Sequence, residues 1–167
     1  MKQITVLAFV LLLAVTGTFA KDKERASKHS TVKSNLVSIT YGQPSMKGRE
    51  IFGALVPFGE VWRTGADEAT EITLAKDCMF AGRQCKKGTY SMFTIPNKGE
   101  WTIILNSELK QWGSFDYDKI KGKNVLEVKV QVVALPKPVE TFTIETNDNG
   151  IDMKWDKTSV PVSIKGL

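Results

Sequence analysis

The chain has 167 residues, of which 42% are hydrophobic, and its 23 Lys and Arg against 18 Asp and Glu give a formal net charge of +5. This length can form one domain with a substantial core. The basic residues are spread among acidic ones, which argues against the concentrated basic face of a nucleic-acid-binding protein.

The first 20 residues have the organisation of a secretory signal peptide. Lys2 precedes an apolar run from Ile4 to Val15, and Thr18-Phe19-Ala20 supplies small residues at a cleavage site. The run is short for a membrane span, although an uncleaved N-terminal anchor is an alternative. We therefore predict a signal peptide at 1–20 and an exported protein, periplasmic or secreted, with no transmembrane span in the mature chain.

Residues 21–31 are polar and highly charged, which predicts a flexible lead-in. His29 lies at its end with no second histidine to share a metal, so we interpret it as incidental. The remaining residues, 32–167, are predicted to form one domain.

Short β-rich runs separated by Gly, Asn and Pro turns follow one another through this domain. They predict an all-β fold of eight to nine strands, either an antiparallel β-sandwich or a small, jelly-roll-like barrel. Pro161 in the last strand predicts a sheet edge. Alternation with polar residues predicts that one set of side chains is buried on facing sheets: Val128, Val130, Val132, Phe142, Ile144 and Trp155.

The two cysteines, Cys78 and Cys85, flank a turn at Ala81-Gly82. This register places them opposite each other on neighbouring strands, and an oxidising compartment favours a disulfide between them. Two buried free thiols, or a metal pair, are the alternatives. A metal site is the weakest of the three because no histidine lies nearby in the sequence.

The segment Gly48–Thr70 is a long loop rich in glycine, aromatic residues and arginine, and long ordered loops are often functional. The candidate ligand-binding residues in it are Arg49, Trp62, Arg63, Asp67, Glu68 and Thr70. We predict an ion pair from Arg63 or Arg49 to Glu68, Asp67 or Glu60, which would either anchor the loop or orient a ligand.

No motif for a catalytic nucleophile, a metal site or a cofactor is found in the sequence. The catalytic residues are therefore unknown, with no metal and no cofactor expected. Trp101 and Trp155 alternate in phase with core residues, whereas Trp112 and Tyr117 are freer and could stack on a sugar.

Three strings, YGQPSMKGREIFG, LVPFGEVWRTGADEAT and KKGTYSMFTIP, resemble an exported bacterial family catalogued as domain of unknown function 2911, which occurs in Bacteroidetes and related bacteria. The resemblance covers roughly residues 30–145. In that family an asparagine usually stands at the position of Asp67 and an apolar residue at the position of Cys85. The resemblance implies export and a shared motif, but no reaction.

Three hypotheses follow. The first is a non-catalytic protein that binds a small ligand or an envelope protein through the Gly48–Thr70 loop. The second is a hydrolase acting on an envelope or carbohydrate substrate through Glu68 or Asp67. The third is a purely structural domain in which the loop closes one end of the fold.

Overall fold

The computed structural model describes residues 24–167, so the predicted signal peptide lies outside the described residues. Short turns separate most of the strands, and α1 (Tyr117–Ile120) with a 3-10 turn (Lys121–Lys123) joins the seventh to the eighth. The strands are β1 (Lys28–Lys33), β2 (Val37–Gln43), β3 (Thr70–Leu74), β4 (Cys78–Phe80), β5 (Arg83–Cys85), β6 (Gly88–Ile95), β7 (Glu100–Asn106), β8 (Asn124–Gln131), β9 (Val133–Asn147) and β10 (Gly150–Gly166).

These strands form two antiparallel sheets, ordered β1-β2-β3-β6-β7-β8 and β5-β4-β10-β9. The all-β prediction is confirmed. Neither sheet closes on itself, so the small-barrel alternative is wrong. Residues 24–167 contain ten strands, because short β4 and β5 form a separate hairpin and the lead-in contributes a strand.

That additional strand corrects the prediction for residues 21–31. Residues 28–31 belong to β1, which pairs with β2 over six residue pairs. Charge alone suggested flexibility, but within the run STVK half-buried and exposed side chains alternate, a period that suits a strand with one face against the domain. The segment that leads into β1 is therefore fixed against the domain.

The last strand, β10, runs between β4 and β9, so the prediction that it lies at an edge is wrong. Its pairs with β9 end at Ser159, and its pairs with β4 begin at Ile164. Pro161 lies between these two segments, where its missing N–H removes no registered ladder bond. The strand also changes direction at Asp156 (φ 49°), between two register shifts.

One hydrophobic core joins the inner faces of the two sheets. Val128, Phe142, Ile144 and Trp155 are buried as predicted, at 1–6% exposure. Val130 and Val132 are only partly buried, because they lie towards and beyond the end of β8 and pack against the margin of the core.

Cys78 and Cys85 are paired across the β4–β5 hairpin, which confirms the predicted register. The disulfide is not formed: both are buried free thiols. Burial, then Cys85 and Asp77, raises the pKa of Cys78 to about 11, so the thiol stays protonated.

Candidate functional site

The first half of the Gly48–Thr70 loop packs into the core. Ile51 and Val56 are buried, and a bridge between Phe52 and Val56 closes a tight turn. Gly53 makes that turn possible, because its φ of 97° is one that other residues rarely adopt and a Cβ there would come within 2.8 Å of the Phe58 ring. This half of the loop therefore covers the core.

Trp62 ends this half and is the centre of an aromatic cluster. Its ring is 5.1 Å from that of Phe142 and stacks on Trp155 at 5.9 Å, with Phe52 and Trp101 completing the group. Two backbone hydrogen bonds with Thr94 of β6 fix its position. Trp62 is only 7% exposed, so its ring is mainly a core side chain.

The second half of the loop, Arg63–Thr70, is a tight turn with unusual backbone angles. Thr64 (φ 58°) and Asp67 (φ 63°) are left-handed, which is costly for a β-branched residue such as Thr64. The buried Thr70 hydroxyl donates to the Thr64 carbonyl at 2.5 Å and stabilises the turn. The turn also packs tightly on β2, since a Cβ on Gly42 would lie 2.2 Å from the Ala66 carbonyl oxygen.

Both acids of this turn are held by residues that precede or begin β1. The backbone N–H groups of Ala26 and Ser27 each donate to the Asp67 carboxylate at 3.0 Å. Arg25 donates to the Glu68 carboxylate, with its closest contact at 2.6 Å. We call residues 25–29 the N-terminal clamp.

His29 completes the clamp, and its interpretation as incidental is wrong. Its Nε2 is 3.3 Å from a carboxylate oxygen of Asp67 and also 3.3 Å from one of Glu68. The sequence offered no signal for this contact, because some 38 residues separate His29 from the turn. Only the pairing of β1 with β2 brings the two segments together.

These contacts set the ionisation of both acids. Burial opposes the charge on Asp67, but the hydrogen bonds from Ala26, Ser27 and His29 outweigh it and hold the pKa of the carboxyl below its usual value. The hydrogen bond from Arg25 is the largest influence on Glu68 and lowers its pKa as well. Both side chains are therefore carboxylates at neutral pH.

The arginines do not make the predicted ion pairs. Within residues 24–167, neither Arg49 nor Arg63 pairs with an acid, because Arg25 and His29 occupy the carboxylates of Glu68 and Asp67. Arg49 instead donates to the carbonyls of Met46 at 2.9 Å and Ser45 at 2.6 Å.

Arg63 is in a different state. Its Nε is buried and has no hydrogen-bond partner among the described residues. Burial lowers the pKa of its guanidinium, and the nearby charge of Asp67 partly offsets this effect. A buried donor left without an acceptor costs about 1–3 kcal/mol, and more if it is charged.

Arg63 lines a cavity of about 550 Å³, which we call the Arg63 cavity. Arg49, Asp67 and the edge of Trp62 also line it, so four of the six candidate residues surround one space. Side chains from several elements complete the wall: Lys28, Gln43, Ser45, Lys47, Leu55, Val56, Thr141 and Trp155.

Glu68 lines a separate cavity of about 890 Å³ together with His29, Glu71, Lys110 and Trp112. The clamp residues border both spaces. Thr70 lines neither cavity; its hydroxyl stabilises the turn and its backbone begins β3.

A comparison with protein-family models places residues 23–164 in a family described as protein of unknown function (DUF2911). The chain belongs to this family. No curated protein and no solved structure matches it.

Position 67 of this DUF2911 chain illustrates how the structure constrains a family motif. Asparagine and aspartate are the non-glycine residues that best tolerate a left-handed backbone, and Asp67 has φ 63°. Its backbone angle and its contacts with the clamp explain the residue without any catalytic role.

The freer aromatic residues lie in different surroundings. Trp112 is half-buried at the Glu68 cavity, whereas the Tyr117 ring packs on Phe93 at 5.1 Å. In the described part of this DUF2911 chain, no group of three or more His, Cys, Asp or Glu side chains is placed to hold a metal ion. Nor does any helix of residues 24–167 have the length and hydrophobicity needed to cross a membrane.

Proposed function

We propose that this protein is an exported, non-catalytic binding module, built as a β-sandwich, that takes a small ligand in the Arg63 cavity. The observation that carries this proposal is the composition of the cavity wall. Its volume is within the range of about 300–1,000 Å³ typical of ligand pockets. Its wall combines aromatic and aliphatic side chains with many polar and charged ones, which can orient a ligand.

The proposal does not conflict with a structural role for the loop. Gly48–Trp62 covers the core, whereas Arg63 and Asp67 form part of the cavity wall. The first and third hypotheses from the sequence thus apply to the same segment, because Arg49 and Trp62 of its first half also line the cavity.

The hydrolase alternative has less support. A carboxyl that acts as a general acid needs a pKa raised towards the working pH. The pKa values of Asp67 and Glu68 are shifted in the opposite direction, and donors from the clamp occupy both carboxylates. Their geometry suits attachment of the clamp.

Native mass spectrometry of protein prepared from the envelope fraction without denaturation tests the proposal. We expect a small-molecule adduct on the wild type that is lost in Ser45→Trp, where the indole fills the cavity. Thr102→Trp, at a half-buried position outside the cavity, is the matched control and should keep the adduct.

An adduct that survives Ser45→Trp would place the ligand elsewhere and contradict the proposal. Copurification of a protein in place of a small molecule would favour the envelope-partner alternative. If the wild-type protein carries no adduct, it would be screened by thermal shift against a small-molecule library. Failure to find a ligand whose effect is lost in Ser45→Trp would contradict the proposal.

A further inference from the structure

We infer that the ligand of the Arg63 cavity is a small organic oxyanion, a carboxylate or a phosphate, whose charged group is bound by Arg63 and Arg49. This inference rests on the proposed function and adds the chemical class of the ligand. Three independent features of the cavity carry it: its charge, the state of the two guanidinium groups and its apolar wall.

The charge of the wall is strongly one-sided. Lys28, Lys47, Arg49 and Arg63 line the cavity, and Asp67 is the sole acid among its lining residues in the described chain. The Asp67 carboxylate is already bound by two backbone N–H groups and His29. None of the four cations forms a direct ion pair within residues 24–167, although the nearby charge of Asp67 acts on Arg63.

Arg49 is held in position for such a ligand. Its Nε and one terminal nitrogen donate to carbonyls of residues 46 and 45, which fixes the plane of the guanidinium at the cavity. The donors on its other terminal nitrogen are not used by these two bonds. A fixed, planar cation binds an oxyanion with less loss of side-chain entropy than a free one does.

Arg63 supplies the complementary donor. Its Nε–H has no acceptor among the described residues, although the guanidinium can present two parallel N–H groups to one oxyanion. Since Nε is buried, a two-point contact requires the side chain to turn towards the cavity that it lines. That turn would give the buried donor an acceptor, so anion binding removes an energetic cost of the free protein.

The rest of the wall indicates an apolar part of the ligand. Leu55, Val56, Trp62 and Trp155 line the same cavity, and Leu55 is 44% exposed. Val56, Trp62 and Trp155 are already buried at 2–7% exposure, so a ligand with a hydrophobic body beside its charged group would mainly cover Leu55. We therefore expect phenyl phosphate or benzoate to bind more tightly than inorganic phosphate or acetate.

Isothermal titration of the full mature chain with these four anions at low ionic strength tests the inference. We expect saturable binding of at least one phenyl-bearing anion, weakened at least tenfold by Arg63→Gln and by Arg49→Gln. Arg83→Gln is the control for net charge: Arg83 is exposed, lies outside the cavity and donates to the backbone carbonyl of Glu127, so its loss should change the affinity less than twofold. Circular dichroism of each variant verifies that it is folded.

Preference for the phosphates or for the carboxylates decides between the two oxyanions, and either result supports the inference. Absence of binding by all four anions would overturn it, as would equal weakening by Arg63→Gln and Arg83→Gln. If, in that case, the wild type still carries an uncharged adduct that Ser45→Trp removes, the proposed function stands and only the ligand class is wrong. If that adduct is also absent, both fail.

Discussion

The two halves of the Gly48–Thr70 loop differ in what they give to the fold. Gly48–Trp62 buries Ile51, Val56 and Trp62 in the core and behaves as part of the hydrophobic interior. Arg63–Thr70 carries charged side chains on a strained backbone, with its acids bound by the clamp and Arg63 Nε without a partner. The comparison shows that one long loop can stabilise a domain mainly through one half, while residues of both halves, Arg49 among them, line the cavity.

Trp62→Ala should have the largest effect on stability. Removing a buried aromatic side chain typically costs about 3–5 kcal/mol, and Trp62 contacts four other aromatic rings. Urea unfolding measures this loss. Phe115→Ala, at a side chain that is 80% exposed, is the control and should change the free energy of unfolding little. A small effect at Trp62 would show that the first half of the loop does not stabilise the core.

Asp67→Asn should have an intermediate effect of about 1–3 kcal/mol. The substitution keeps a residue that tolerates φ 63°, but the amide cannot accept from Ala26, Ser27 and His29 together. The control is Asp118→Asn, whose carboxylate is 89% exposed. If both variants unfold at the same urea concentration, the clamp does not stabilise the turn.

Lowering the pH should weaken the contacts between the N-terminal clamp and the carboxylates of Asp67 and Glu68. Because the pKa values of Asp67 and Glu68 are lowered in the folded protein, their contribution to stability is complete above the ordinary values of 3.8 and 4.5. This contribution is lost as the pH falls through the lowered pKa values, since the unfolded chain then binds protons more readily than the folded protein does. Urea midpoints measured from pH 6 to pH 2.5 should fall less steeply in Asp67→Asn than in the wild type. Parallel profiles would contradict the assignment.

Arg63→Met should have the smallest effect on stability. It retains an apolar stem and removes a buried donor that has no acceptor, so we expect a change within about 1 kcal/mol and possible stabilisation. Arg25→Gln, which removes an exposed ion pair, should also cost about 0–1 kcal/mol. A loss of several kcal/mol at Arg63 would mean that its guanidinium anchors the loop.

Local pattern was sufficient for much of the fold. The alternation around Val128 and Phe142 predicted buried faces, and the turn at Ala81-Gly82 predicted the pairing of Cys78 with Cys85. Both predictions rest on residues that are neighbours in sequence, and for such residues the side-chain period and the turn geometry determine the local structure. The same reasoning found the loop that contributes Arg49, Trp62, Arg63 and Asp67 to one cavity.

Long-range partners were not predictable in this way. The sequence offers six acids and arginines within the loop as partners for one another, yet Asp67 and Glu68 pair with the N-terminal clamp some 40 residues earlier. The prediction of the position of β10 failed for a similar reason. Pro161 cannot donate a ladder hydrogen bond at one residue, but this does not place the whole strand at an edge. Sheet order, which decides both cases, is not encoded in any local period.

The most direct test of the central claim observes the Arg63 side chain itself. A ¹H–¹⁵Nε spectrum, with the Arg63 and Arg25 signals assigned through Arg63→Met and Arg25→Gln, can be titrated with phenyl phosphate and with benzoate. The account predicts a saturable shift of the Arg63 Nε–H signal with at least one of them, and little change at Arg25, whose Nε–H already donates to Glu68. An Arg63 signal that does not move, or that drifts without saturation together with the other arginines, would contradict it.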